Sequence, residues 1–186
     1  MKRGLALLLA ATLLAGCGSD DGDGDDGDRA DTAPAAAGLA RFESDRIAFT
    51  FDYPEYLTAE RRPREQVLAR VGVERGSRLN AIKVRQTAER ELDPGRYLDE
   101  FQRDFERTVG SVEKREERVG DLQTGVLEFE DSIELGGERV DFRSSSYFFK
   151  GAGRTWQLEC IADNAHREEV EEACRIVLES VEFTVD

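Results

Sequence analysis

The chain has 186 residues, enough for one ordinary domain with its own core, and a formal charge of −14. Hydrophobic residues make up 39% and charged ones 35%, which excludes a protein built from many membrane spans. A net negative field repels phosphate backbones, so nucleic acid is not an expected partner.

Lys2 and Arg3 precede an apolar run from Gly4 to Leu14, followed by the small residues Ala15 and Gly16 and then Cys17. The run is far shorter than the about 20 residues a spanning helix needs. It has the form of an export signal, here residues 1–16. Leu14-Ala15-Gly16-Cys17 resembles the bacterial lipobox. That resemblance implies cleavage before Cys17, acylation of its sulfur, and a protein held by lipid at the extracytoplasmic face of a cell membrane. Its first partner is then the membrane itself, through the acyl chains on Cys17. The alternative is an ordinary secretory signal with an incidental cysteine.

Residues 17–40 read as a tether. Asp20, Asp21, Asp23, Asp25, Asp26, Asp28 and Asp31 are interleaved with Gly, and small residues surround Pro34. Such a segment cannot bury enough apolar surface to offset its ordering entropy, and its like charges extend it. Asp21, Asp23 and Asp25 have the alternation of a calcium loop. The sixth position, however, is Asp26 where the sharp turn needs Gly, and the twelfth is Thr32, which cannot supply a bidentate carboxylate. No metal site and no cofactor are expected.

The folded domain is expected over residues 41–186. Ile47, Phe49, Phe51 and Tyr53 alternate with smaller or polar residues, which predicts a half-buried strand ending at Pro54. Val67, Ala69, Val71 and Val73 repeat the pattern; after a turn at Glu74-Arg75-Gly76-Ser77, Ile82, Val84 and Gln86 continue it on a partner strand. Asp93-Pro94 then opens a helix, with Tyr97, Leu98, Phe101, Phe105 and Val109 on one stripe and Gly110 as its stop. The charged segment Val112–Val119 reads as an exposed strand guarded by charge, with a helical extension as the alternative.

Leu127, Phe129, Ile133 and Leu135 predict a strand, with Asp131 as a possible bulge on its apolar face. Gly136-Gly137 predicts a tight hairpin, and Val140, Phe142, Ser144, Ser146 and Phe148 the return strand. After Gly151-Ala152-Gly153, Trp156, Leu158 and Cys160 share an inner face. Val170, Cys174, Val177, Leu178 and Val181 predict a closing helix, with Asn164 as its cap and Glu168 and Glu169 suited to its first turn. The order of elements predicts an α+β domain, a mainly antiparallel sheet covered by two helices.

If Cys17 carries lipid, Cys160 and Cys174 remain as a pair. A strand-turn-helix unit folds their two apolar faces together, so a disulfide is expected, with two buried free thiols as the alternative. No catalytic residue is expected. His166 reads as a solvated residue at a helix start, Ser144-Ser145-Ser146 as structural, Trp156 as core, and Arg61-Arg62-Pro63-Arg64 as a solvated basic loop.

The stretch Ile47-Ala-Phe-Thr-Phe-Asp-Tyr-Pro54, the helix opening Pro94-Gly-Arg-Tyr-Leu98 and the closing Ala173-Cys-Arg-Ile-Val-Leu-Glu-Ser-Val-Glu-Phe183 resemble the PsbP-like family, whose fold is shared by mycobacterial LpqN-type lipoproteins. The resemblance implies an α/β/α sandwich and no shared catalytic set. Tyr56 stands where the family pattern has tryptophan. With the lipobox, this points to a tethered, non-enzymatic lipoprotein that binds an envelope protein or serves as an accessory module. The alternative is a carrier of a small apolar or lipid ligand held between sheet and helix.

Overall fold

A computed structural model describes residues 38–61, 67–76, 78–109 and 111–184. The export segment, Cys17, the acidic tract, the basic residues Arg62 and Arg64, and Gly110 lie outside the described residues. The first strand lies slightly earlier than the sequence suggests: β1 (Leu39–Phe42) pairs antiparallel with β2 (Phe49–Pro54). Leu39 and Ala40 are ladder residues opposite Pro54 and Tyr53.

Then follow β3 (Thr58–Glu60), β4 (Ala69–Gly72), β5 (Ala81–Ala88), α1 (Pro94–Val109), β6 (Glu113–Val119), β7 (Leu122–Leu135), β8 (Glu138–Gly151), β9 (Arg154–Asp163), α2 (Arg167–Glu179) and β10 (Glu182–Phe183). The main sheet has seven strands in the order β3-β4-β5-β9-β8-β7-β6, and its neighbouring strands all pair antiparallel. A small sheet of order β1-β2-β10 lies beside α2. The charged segment after α1 is a strand, and it forms one edge of the main sheet.

The two faces of the main sheet carry different cores. On one face Trp156, Leu158, Cys160, Val84, Ile82 and Phe149 meet Val170, Ala173, Cys174 and Val177 of α2 and Phe49 and Phe51 of the small sheet. Phe49 is the hub there, with its ring 5.1 Å from Trp156, 5.6 Å from Phe149 and 5.7 Å from Phe183. On the other face Tyr97 and Leu98 of α1, with Phe101 and Phe105 partly covered, pack on Leu127, Phe129 and Phe148. The result is an α/β/α sandwich with the small sheet sharing the α2 layer. The inner strand β8 explains its own composition: the consecutive aromatics Tyr147, Phe148 and Phe149 are covered from both sides.

Cys160 and Cys174 are joined by a disulfide, with Cα atoms 6.1 Å apart, linking β9 to α2 inside the first core. Closing the loop of 14 residues contributes about 3 kcal/mol in the chain-entropy model.

Two local expectations are corrected. Asp131 makes no bulge: β7 pairs with β8 in unbroken register from Gly125 to Leu135, and Asp131 sits exposed opposite Phe142, on a hairpin that outruns both neighbouring strands. Asn164 is not the cap of α2, which starts after His166. Asp163 instead accepts hydrogen bonds from the backbone N–H groups of Ala165 and His166, at 3.0 Å each.

The hairpin turn between β7 and β8 is the two-residue loop Gly136-Gly137, with φ of 62° and 89°. Both central residues of such a turn need positive φ, which glycine adopts freely. Gly125 has a different reason. A Cβ there would lie 2.8 Å from Leu98 Cγ and Cδ1, so the bare backbone lets α1 settle onto the sheet. Replacement of Gly125 by Val is expected to cost about 1–3 kcal/mol by overpacking, read as a lower midpoint in urea unfolding with an unchanged slope.

Candidate functional site

Cross-strand register places a polar band on the α1 face of the sheet. Paired residues of an antiparallel ladder share a face. The row Leu127–Ser146–Glu159–Lys83–Arg70–Glu60 therefore runs across six strands, and the row Gly125–Phe148–Gln157–Arg85 lies beside it. The half of these rows on β7 and β8 is apolar or small and lies under α1. The half on β9, β5, β4 and β3 is polar, and charged except at Gln157. α1 contacts β6, β7 and β8, and its aromatic stripe forms a wall at the boundary between the halves.

A groove of about 620 Å³ lies along that boundary. One side is aromatic: Tyr97 and Phe101, with ring centroids 4.6 Å apart, and Phe105 beyond them at 6.1 Å from Phe101. Tyr97 and Phe101 are locked onto Phe148 at 5.4 and 5.1 Å, and Phe105 onto Phe129 at 5.4 Å. The opposing side is polar: Arg85, Thr87, Gln157 and Glu159. A preformed concave space of this size, with an apolar wall and a few convergent polar groups, is the usual form of a small-ligand site.

The electrostatics of the polar wall are uneven. Glu159 Oε2 serves two cations, Arg85 Nη1 at 3.0 Å and Lys83 Nζ at 3.4 Å. Lys83 is only 15% exposed, and burial pushes its ammonium below the ordinary lysine range, with Glu159 opposing that shift. Arg70 is committed elsewhere. It pairs with Glu60, and its Nη2 donates to the Glu74 carbonyl at 2.8 Å. Gln157 Nε2 donates to Ser146 Oγ at 3.0 Å, which fixes the amide in the floor.

A second cluster occupies the opposite face, toward the β6 edge. Glu128 accepts from Arg115 Nη1 at 2.7 Å, Arg143 Nη2 at 3.0 Å and Ser145 Oγ at 3.0 Å. Burial alone would raise the Glu128 carboxyl, but the three donors outweigh it and hold the group below its ordinary value of 4.5. A cavity of about 540 Å³ beside it is lined by three carboxylates, Glu113, Glu128 and Glu130, against one cation, Arg143, so its lining is net acidic.

The residues weighed from sequence are now placed. Trp156 is fully buried and donates its indole N–H to the Gly151 carbonyl at 3.1 Å. Of the three serines, Ser145 serves Glu128, Ser146 serves Gln157, and Ser144 Oγ is buried without a hydrogen-bond partner among the described residues. His166 Nδ1 lies 2.9 Å from Asp163 Oδ1, and Asn80 Nδ2 donates to Asp163 Oδ2 at 2.8 Å. Among the described residues no hydroxyl or thiol joins that pair. Among the described residues no group of three His, Cys, Asp or Glu is gathered as a metal site, and no helix is long and apolar enough to cross a membrane.

Sequence reasoning missed Lys83, Arg85, Gln157 and Glu159. A signal was present: they alternate with Ile82, Val84, Trp156, Leu158 and Cys160, so two strands each show one apolar and one charged face. That β5 and β9 are neighbours, which merges the two charged faces, is not written in either strand.

The chain is thus an α+β sandwich with an open groove on its α1 face. No family model matches the chain, and no curated protein matches it. Among solved structures it is similar to a crystal structure from Bacteroides thetaiotaomicron VPI-5482, with a TM-score of 0.55 at 7% identity. The match covers 78% of this chain and 48% of that one, so the chain spans about half of that protein's length. Two further similar structures are of the kinds that its sequence resembles. One is the crystal structure of LpqN, described as involved in cell envelope biogenesis of Mycobacterium tuberculosis, with a TM-score of 0.49, 11% identity, and 74% and 83% coverage of this chain and of LpqN. The other is the solution structure of the cyanobacterial PsbP, CyanoP, from Synechocystis sp. PCC 6803, with a TM-score of 0.49, 13% identity, and 80% and 94% coverage. At these identities the likeness concerns the fold.

The Glu128 cluster sets a pH dependence. Its carboxyl titrates lower in the folded chain than in the unfolded one, so its stabilisation is present above the ordinary value of 4.5 and is lost as pH falls through the folded value. Glu128→Gln is expected to cost about 1–3 kcal/mol at neutral pH. Its unfolding free energy should then fall less than the parent's between about pH 5 and about pH 3, measured by urea denaturation at each pH.

Proposed function

We propose that the protein is an exported, acyl-anchored binding module at the extracytoplasmic face of a cell membrane, without catalysis of its own. The observation that carries this reading is the buried disulfide between Cys160 and Cys174. Structural disulfides form and persist in oxidising compartments, as export requires. Pairing these two also leaves Cys17 as the remaining cysteine, at the position where lipid would be attached. The acidic tract after Cys17 would act as a spacer that holds the domain off the membrane.

Within that reading, two occupants of the module are weighed: an envelope protein, and a small apolar or lipid ligand. The groove beside α1 favours the second. Its aromatic wall and polar floor enclose a volume suited to a small molecule.

The anchoring is tested by fractionation. Cys17→Ser should move the protein from the membrane fraction to the soluble extracytoplasmic fraction, and an electrophoretic label from radioactive fatty acid should disappear with it. Persistence in the membrane fraction would refute lipid attachment at Cys17.

A further inference from the structure

We propose that the groove selects a monoanionic amphiphile, its head on Arg85 and its apolar body along Tyr97, Phe101 and Phe105. This rests on the carrier reading above and names the ligand class that reading leaves open.

The first argument is local charge. The chain is strongly acidic overall, yet at the groove wall Arg85 shares its carboxylate, Glu159, with a second cation, Lys83, which lies beside the wall. The next cation in the row, Arg70, is closed off by Glu60 and the Glu74 carbonyl. Among the described residues of this row, one positive charge is left over beside a partly desolvated space. A cationic ligand would add to that excess. A neutral ligand would cover it without pairing it, which is costly in a low dielectric. A single negative charge cancels it.

The second argument is geometry. Arg85 is 27% exposed and is tied at one nitrogen, Nη1, to Glu159. The remainder of its planar fork is left to meet a carboxylate, the pairing for which the guanidinium is shaped. The third argument is distance. Arg85 pairs across the ladder with Gln157, and Gln157 with Phe148, on which Tyr97 and Phe101 rest. Arg85 therefore stands two strand spacings, about 10 Å, from the strand that carries the aromatic wall. A ligand that satisfies both ends must be amphipathic, with its charge at one end.

The test uses the secreted chain carrying Cys17→Ser, so that no acyl chain of its own competes. Laurate, 2-naphthoate, dodecanol and dodecyltrimethylammonium are titrated below their aggregation limits by calorimetry, and amide chemical shifts report which residues respond. The expected result is that both carboxylates bind, with shifts in α1, β5 and β9, and that the ammonium compound binds at least about tenfold more weakly than laurate. Arg85→Gln should lose about tenfold in laurate affinity with dodecanol binding unchanged, and Arg85→Lys should recover part of the loss. Thermal melting confirms that each variant is folded.

If Arg85→Gln binds laurate as tightly as its parent, or the ammonium compound binds equally well, the anion selectivity is wrong. If dodecanol matches laurate while the same groove residues shift, selectivity again fails but the carrier reading stands. If none of the four moves the groove signals, both fall.

Discussion

A seven-stranded sheet has two faces to cover, and β8 is apolar on both. Tyr147 and Phe149 point to one side and Phe148 to the other, so neither face can be left to water near the sheet centre. The α2 side meets this demand with a helix and a small sheet together. The other side has α1 alone. A helix with its side chains is about 10–12 Å wide, whereas seven strands span about 29 Å. One helix therefore covers only part of that face, and it settles mainly over the apolar stretch of β7 and β8, with the charged edge strand β6 at its margin. The charged band on β5 and β9, and the groove beside it, follow from this shortage of cover.

Much of the scaffold was legible in the sequence because it rests on local periodicity. The stripe Tyr97–Val109 between Asp93-Pro94 and Gly110 gives α1 with the bounds observed, and Gly136-Gly137 gives the hairpin. The pairing of Cys160 with Cys174 follows from two apolar faces that a short connection brings together. Short pieces were less visible. β1, β3 and β10 have too few residues to show a period, and they exist because β2 and β4 offer them edges. Asp131 looked anomalous because the strand was assumed to be buried along its length. It lies on a projecting ribbon, where an acidic side chain meets water.

The groove was illegible for a different reason. Each of its strands alternates in the ordinary way, and a charged side chain on an alternating strand is normally read as solvent-facing. Lys83 and Glu159 sit on that nominally outer face yet are largely covered. Only the long-range order β5-β9-β8-β7, with α1 over its far half, turns separate outer faces into the floor and wall of one site. Strand order depends on contacts distant in sequence, which no local pattern encodes.

The charged band is also weak as a device for stability. Charges removed from water lose hydration that their mutual attraction only partly restores, and replacing a covered ion pair by apolar groups of similar size is often neutral or stabilising. Retaining Lys83, Arg85 and Glu159 together then requires a use other than holding the fold. The most direct measurement is the thermal midpoint of the triple variant Lys83→Met, Arg85→Met, Glu159→Met. If the band serves a ligand, the variant melts at or above the temperature of the parent chain. A melting point lower by about 10 °C or more, equivalent to a few kcal/mol at this size, would show that the band holds the sheet together and would contradict the account.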